Sequence, residues 1–86
     1  MRAWIKDALG HVKTKDQLKS VLHDLCEPYG KVDDIVLDAA EPTRLTCRIR
    51  MSERRAAASA ANWLGSAVEE SGLIVLNYQT PAGFQA

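Results

Sequence analysis

The sequence predicts an α+β domain in which a four-stranded antiparallel sheet carries two helices on one face. Two observations predict the helices: a capping pattern that precedes an apolar stripe at residues 14–26, and an alanine-rich segment at residues 52–64. A third observation predicts the sheet, because apolar and polar side chains alternate strictly over residues 44–51. We therefore expect helices and strands to alternate around one small core.

Length and composition are those of an ordinary globular domain. The chain has 86 residues, of which 47% are hydrophobic and 26% charged, so we expect one domain at residues 1–80 and a C-terminal tail at 81–86. Eleven basic and eleven acidic residues cancel, which excludes a uniformly basic surface. No apolar run approaches the roughly 18 residues of a membrane span. We expect a cytoplasmic protein that makes no membrane contact.

The first of the two helices is predicted to begin at Thr14, whose hydroxyl can accept a hydrogen bond from the helix amide at Gln17. The apolar residues that follow lie at helical spacing and form one stripe: Leu18, Val21, Leu22, Leu25 and Cys26. Pro28 and Gly30 end this helix, because proline lacks an amide hydrogen and glycine permits the turn.

Two strands are predicted after this turn. Residues 31–38 are rich in β-branched and aliphatic side chains, which suit a pleated surface. A hairpin loop at residues 39–43 leads to the alternating segment 44–51. One face of this second strand is apolar, and the other carries four polar side chains: Arg44, Thr46, Arg48 and Arg50.

The second helix is predicted to begin after Ser52, whose hydroxyl can cap it, and its alanines are small enough to let it lie close to a sheet. Gly65 leaves the end of this helix undecided, since the pattern either stops there or continues to Gly72. Residues 73–78 form an apolar run between glycine and proline, which predicts a buried strand.

The segment before Thr14 fits two structures. Residues 3–6 can form a short strand, yet the apolar side chains of this segment also lie at helical spacing: Trp4, Ile5, Ala8, Leu9 and Val12. We predict the strand, because the other three strands would otherwise lack a central partner. The element order is then βαββαβ, a ferredoxin-like sandwich whose sheet order is fourth, first, third and second strand.

The passage LHDLCEPYGKV, residues 22–32, continues to Ile35 and Leu37 and joins a helix end, a turn and a strand. It resembles the first-helix-to-second-strand passage of the RNA recognition motif family. That family shows leucine, an apolar pair, often proline, an aromatic residue, glycine and then β-branched residues at fixed offsets. In this family RNA lies on the open face of the sheet, where aromatic side chains of two central strands stack on bases.

The resemblance implies a set of RNA-binding residues. In the octapeptide that the family carries on its third strand, Arg44 matches the basic first position, whereas Thr46 and Arg48 stand where stacking aromatic residues would be. The six-residue motif of the family's first strand fits best at residues 3–8, which gives Trp4 the outward aromatic position. The predicted nucleic-acid-binding residues are Trp4, Lys6, Arg44, Thr46, Arg48, Arg50 and Tyr78.

Two functions stay open for such a face. Residues 44–55 contain five arginines and one glutamate, and arginine can both pair with phosphate and stack on a base, so it can partly replace the missing aromatic residues. These arginines can equally be the solvated charge of an exposed strand. The first candidate function is single-stranded RNA binding. The second is protein–protein interaction on the same fold, which the zero net charge and the absent central aromatic residues favour.

No catalytic or metal-binding arrangement is predicted. Cys26 and Cys47 form no CxxC motif and are expected to be buried thiols, and Tyr29 and Trp63 are also expected in the core. The sequence shows no Ser/His/Asp or Cys/His arrangement for nucleophilic catalysis. We expect a monomeric binding module that is not an enzyme and needs no cofactor, with single-stranded RNA or a protein as its partner.

Overall fold

The computed structural model describes residues 3–85, which form three α-helices and a four-stranded antiparallel sheet. The elements in chain order are α1 (Ala3–Leu9), α2 (Lys15–Cys26), a single 3₁₀ turn (Glu27–Tyr29), β1 (Val32–Glu41), β2 (Arg44–Met51), α3 (Arg54–Leu64), β3 (Ala67–Val68) and β4 (Ile74–Gln79). In this range, no helix has the length and apolar character needed to cross a membrane.

The first element is a helix, so the predicted strand at residues 3–6 is wrong. Ile5 and Leu9 lie one helical turn apart and both are fully buried, which gives α1 an apolar edge against the core. The sheet does not need a strand from this segment, because β4 pairs with β2 and supplies its second neighbour. Helical and strand patterns both fitted this segment, and the packing of Ile5 and Leu9 in the core selects the helix.

The strand order is β1-β2-β4-β3, and all neighbouring strands are antiparallel. The predicted α+β class with a four-stranded antiparallel sheet is confirmed, but the ferredoxin-like topology is not, since the chain contributes three helices and a different strand order. The long β1 and β2 form a hairpin across Pro42 and Thr43. β2 is therefore central, with β1 on one side and β4 on the other.

One face of the sheet is covered and forms the core. Cys47 pairs with Leu37 on β1 and with Leu76 on β4, so the apolar rows of the three long strands lie side by side. The core residues of the sheet are Ile35, Leu45, Cys47, Ile49, Met51, Ile74, Leu76 and Tyr78. The three helices and the α1–α2 connection add Ile5, Leu9, Val12, Leu18, Leu22, Cys26, Ala56, Ala57, Ala60, Ala61 and Leu64.

Helix α2 begins as predicted. The Gln17 amide donates to Thr14 Oγ1 at 3.2 Å, so Thr14 is the N-terminal cap. The Gln17 side chain turns back and its Oε1 accepts a hydrogen bond from the Lys13 amide at 2.8 Å. This second bond reaches one residue further than in a standard capping box, and it ties the α1–α2 connection to the first turn of α2.

Helix α3 begins at Arg54 and not directly after Ser52, so the predicted serine cap is wrong. The Ser52 hydroxyl donates instead to Asp33 Oδ1 at 2.6 Å, and the Ser52 amide donates to the Lys31 carbonyl at 3.0 Å. Both bonds fasten the end of β2 to the start of β1. At its other end the helix stops at Gly65, whose left-handed backbone (φ 71°) closes the last turn.

The C-terminal segment after β4 is held against the rest of the chain. The Gln85 amide donates to the Lys13 carbonyl at 2.7 Å, and Lys13 Nζ donates to the Ala82 carbonyl at 3.3 Å. Phe84 packs edge-on against Tyr78, with 6.0 Å between the ring centroids. Residues 81–85, predicted to be a tail, thus contact the α1–α2 connection and one core side chain.

Gly30 is required by the distance between α3 and the turn before β1. A Cβ atom at this position would lie 2.7 Å from Cβ of Ala56, closer than real Cβ atoms approach. Ala56 and the neighbouring Ala57 are buried at the start of α3. The turn and the helix can meet at this distance only because one side of the contact has no side chain and the other has a methyl group.

We expect Gly30→Ala to lower the free energy of unfolding by about 1–3 kcal/mol, because the added methyl group overpacks this contact. Urea denaturation followed by circular dichroism measures the change. In an Ala56→Gly background the same substitution should cost less, because the opposing methyl group is gone. Equal costs in the two backgrounds would contradict the contact as the cause.

Both cysteines are buried and unpaired by disulfide, as predicted. Cys26 lies on the buried side of α2 and Cys47 on the buried face of β2, and each is 0% exposed. Burial in apolar surroundings penalises the thiolate and raises the pKa of Cys26 to about 11 and that of Cys47 to about 12. Both side chains are therefore neutral core residues at physiological pH.

We expect both thiols to react with a bulky disulfide reagent at pH 8 at least about a hundredfold more slowly in the native protein than in denaturant, because attack requires an opened structure. Fast native labelling would contradict the burial.

The pKa of each thiol is raised by folding, so its contribution to stability is present below about pH 9 and is lost as the pH rises toward 11–12. Urea denaturation across this pH range should show that the free energy of unfolding falls less steeply for the double variant Cys26→Ala, Cys47→Ala than for the parent.

Candidate nucleic-acid interface

The face of the sheet that the helices leave uncovered is called the open face here. Its central row is the polar side of β2, which alternates with the buried row of the same strand. Direct pairing places polar residues of the neighbouring strands beside this row. The open face consists of Asp34, Val36, Asp38 and Glu41 on β1, Arg44, Thr46, Arg48 and Arg50 on β2, and Val75, Asn77 and Gln79 on β4.

The β1 side of the open face is acidic. Asp34 pairs with Arg50 across the ladder, and Arg48 donates from Nη1 to Asp38 Oδ2 in an exposed ion pair. Val36 is 44% exposed and lies directly opposite Arg48. One of the three arginines of the row is therefore already bound to a carboxylate, and an anionic ligand must compete with Asp38 for it.

The β4 side of the open face is neutral and polar. Asn77 lies opposite Thr46 and Gln79 lies opposite Arg44, and both amide side chains belong to exposed residues. A primary amide both donates and accepts hydrogen bonds, so this side can contact base edges or sugar hydroxyls. An anionic chain would therefore follow β2 and β4 and avoid β1.

A cavity of about 690 Å³, called the end pocket here, lies where β2 begins and β4 ends. Lys6 of α1 and Arg44 of β2 both line it. Neither cation forms an ion pair among the described residues. The two residues are far apart in sequence, and the fold brings both to this cavity. The remaining wall residues are Gly10, Asn77, Tyr78, Gln79, Thr80 and Pro81.

Five of the seven predicted residues reach the same region with side chains that are not buried. Arg44, Thr46, Arg48 and Arg50 form the central row of the open face, as the alternation of β2 predicts. Lys6 joins them from an unexpected element, because α1 places it in the end pocket beside Arg44. The prediction included Lys6 on the assumption of a first strand, so its position agrees while the reason for it does not.

Trp4 does not lie on the open face, which corrects its predicted role as a stacking platform. It belongs to α1, and its ring packs against Trp63 of α3 with 4.5 Å between centroids. Tyr29 contacts Trp63 in turn, at 5.6 Å. Trp4 is 41% exposed and Trp63 is 36% exposed, so Trp63 is not the core residue predicted, while Tyr29 is half-buried. The rings form an aromatic surface on the helical side.

Tyr78 is a core residue that also lines the end pocket, so it does not lie on the open face as predicted. It is 3% exposed, and its hydroxyl donates to the Leu9 carbonyl at 2.8 Å. Burial, with a smaller electrostatic contribution from Cys47, raises the pKa of the Tyr78 hydroxyl above its ordinary value. The alternation of β4 places Tyr78 on the buried row with Ile74 and Leu76.

The predicted set contains no open-face residue of β1 or β4, and the polar members that it lacks are Asp34, Asp38, Glu41, Asn77 and Gln79. Asn77 interrupts an otherwise apolar segment, and a polar residue inside a strand is the signal that one face is solvated. Asp34 and Asp38 lie at even spacing with Val36, which also indicates one face. Their effect on the arginines depends on strand register, which the sequence pattern does not specify.

His23, Asp24 and Glu27 are the described residues that could supply three ligand atoms to a metal ion, all within 4.8 Å of one another. His23 Nδ1 lies 3.0 Å from Glu27 Oε2, one helical turn away, and 3.8 Å from Asp24 Oδ1. The two carboxylates are exposed at the end of α2. An ordinary i,i+4 contact at a helix surface accounts for this geometry.

Comparison with protein-family models, curated proteins and solved structures finds no match to this chain. The resemblance of residues 22–37 to the RNA recognition motif family therefore stays a prediction.

We expect Tyr78→Phe to lower the free energy of unfolding by about 1 kcal/mol, because the Leu9 carbonyl loses one of its two hydrogen bonds and keeps the one from the Val12 amide at 3.3 Å. The ring itself stays packed against Phe84. Urea denaturation measures the change, and the affinity for any ligand of the open face should stay at the parental value. A loss of affinity without a loss of stability would contradict the assignment of Tyr78 to the core.

Proposed function

We propose that this chain is a binding module for single-stranded RNA and that RNA lies on the open face of the sheet. The observation that carries the proposal is the row of Arg44, Arg48 and Arg50 on the solvent side of the central strand. These positions span about 20 Å along β2, since a strand rises about 3.3 Å per residue. The row is long enough to contact several successive nucleotides.

The chemistry of the row suits a phosphate backbone. A guanidinium group forms two parallel hydrogen bonds with a phosphate and can also stack on a base. Asn77 and Gln79 add hydrogen-bonding groups along one side of the row. Such a surface supplies charge and adaptable polar contacts, with no requirement for a particular base sequence.

Two features make the proposed binding weak and salt-dependent. The described residues of the open face include no aromatic ring, and base stacking on an aromatic ring contributes about 1–3 kcal/mol per base elsewhere. Asp38 also occupies Arg48, so this arginine must exchange one anionic partner for another. The remaining driving force is the release of counterions from phosphate, which falls as salt rises.

Protein–protein interaction is the second candidate function, and the aromatic surface favours it. Trp4 and Trp63 expose large rings on the helical side of the domain, away from the arginine row. Tryptophan is enriched at the centres of protein interfaces. A protein partner would therefore contact the helices, whereas RNA would contact the open face.

We expect Arg48→Gln, Arg50→Gln to weaken binding of a short single-stranded RNA at least about tenfold at low salt, because two of three arginines leave the row. Asp38→Asn should strengthen binding, because it frees Arg48. Fluorescence anisotropy with a labelled oligonucleotide, at low and moderate salt, measures both effects.

The matched control is Arg54→Gln, Arg55→Gln, which removes the same charge from the exposed start of α3. This control should keep most of the parental affinity if the open face is the site. Equal losses in the two double variants would show that net charge and not the open face determines binding. If no RNA binds even at low salt, the proposal fails and the protein-interaction function replaces it.

A further inference from the structure

The end pocket combines two cations with neutral polar groups. Lys6 enters from α1 and Arg44 from the start of β2, and none of the lining residues carries a carboxylate. Glu41, opposite Arg44 in the β1–β2 ladder, lies outside the lining, and these two described residues form no ion pair with each other. Two like charges in one cavity repel each other, and an anion between them would relieve that repulsion. The pocket is thus a concave site whose electrostatics favour a negatively charged ligand.

The walls of the end pocket are fixed by hydrogen bonds of the fold. The Thr80 amide and the Thr80 hydroxyl both donate to the Thr43 carbonyl, at 2.9 and 3.1 Å. On the opposite side, the Tyr78 hydroxyl holds the Leu9 carbonyl at the end of α1. These bonds attach α1 and the segment after β4 to the sheet, so the pocket exists before a ligand binds.

Arg44 connects the end pocket to the open face. It is the first residue of the arginine row and also lines the pocket, and it pairs with Gln79, which does the same on β4. A chain of phosphates lying along the row would therefore end at the pocket. A terminal phosphate carries more negative charge than an internal phosphodiester, so it suits a site with two cations.

We propose that the end pocket binds the terminal phosphate of the single strand that lies on the open face, through Arg44 and Lys6. Arg44 supplies a planar donor pair and Lys6 a compact point charge, two complementary ways to contact a phosphate. The inference rests on the proposed function, in which single-stranded RNA binds to the open face. The pocket adds specificity for a strand end, which the open face alone does not provide.

The test compares short uridine oligonucleotides that carry a 5′-phosphate, a 3′-phosphate or no terminal phosphate. One of the two phosphorylated forms should bind about tenfold more tightly than the unphosphorylated form, the effect of a charge-assisted hydrogen bond. Lys6→Gln should remove this advantage, so that the phosphorylated and unphosphorylated forms bind the variant with equal affinity. The matched control Lys19→Gln, an exposed lysine on α2, should retain it. Backbone amide shifts of Gly10 and Thr80 report pocket occupancy independently.

The outcomes separate this inference from the function on which it rests. If the parent protein binds all three oligonucleotides with equal affinity, the terminal-phosphate site is wrong and RNA binding on the open face stands. If no oligonucleotide binds, uridine monophosphate is titrated alone. Amide shifts at Gly10 and Thr80 would then support a phosphate site in the end pocket and contradict RNA binding on the open face. If no shifts occur, both the phosphate site and the RNA-binding function are wrong.

Discussion

The close contact between helix α3 and the turn at Gly30 is the constraint on which the rest of the domain depends. Residues with a methyl side chain or none allow α3 to approach: Gly30, Ala56, Ala57, Ala60 and Ala61. A helix this close to a sheet covers β2 and β4 on one side and leaves their other side to solvent. The same contact brings Tyr29, next to Gly30, against Trp63 near the end of α3.

This layering separates the basic and the aromatic features of the chain. The arginines of β2 lie on the open face, whereas Trp4, Trp63 and Tyr29 lie on the helical side. A ligand on the open face thus meets charge and amide groups, and a ligand on the helical side meets exposed rings. Since the described residues of the open face include no aromatic ring, the proposed RNA binding depends mainly on the charge of the arginines.

Helix α1 has consequences beyond its seven residues. Its burial of Ile5 and Leu9, together with the bond from Tyr78 to the Leu9 carbonyl, fixes it at the end of β4. That position sends Trp4 to the aromatic surface and Lys6 to the end pocket. Helix α1, which the sequence had predicted as a strand, therefore adds a second cation, Lys6, beside Arg44.

The sequence by itself determined the local structure wherever one periodicity had no competitor. The cap at Thr14, the stripe of α2, the alternation of β2 and the burial of both cysteines all follow from side-chain spacing. Tertiary structure decided residues 3–9, because helical and strand patterns fitted them equally and only packing against β4 distinguishes the two. It also decided the register that sets Asp38 beside Arg48 and the fold that brings Lys6 to Arg44. Spacing along a chain encodes which face a side chain takes, but contacts between distant segments depend on how the faces assemble.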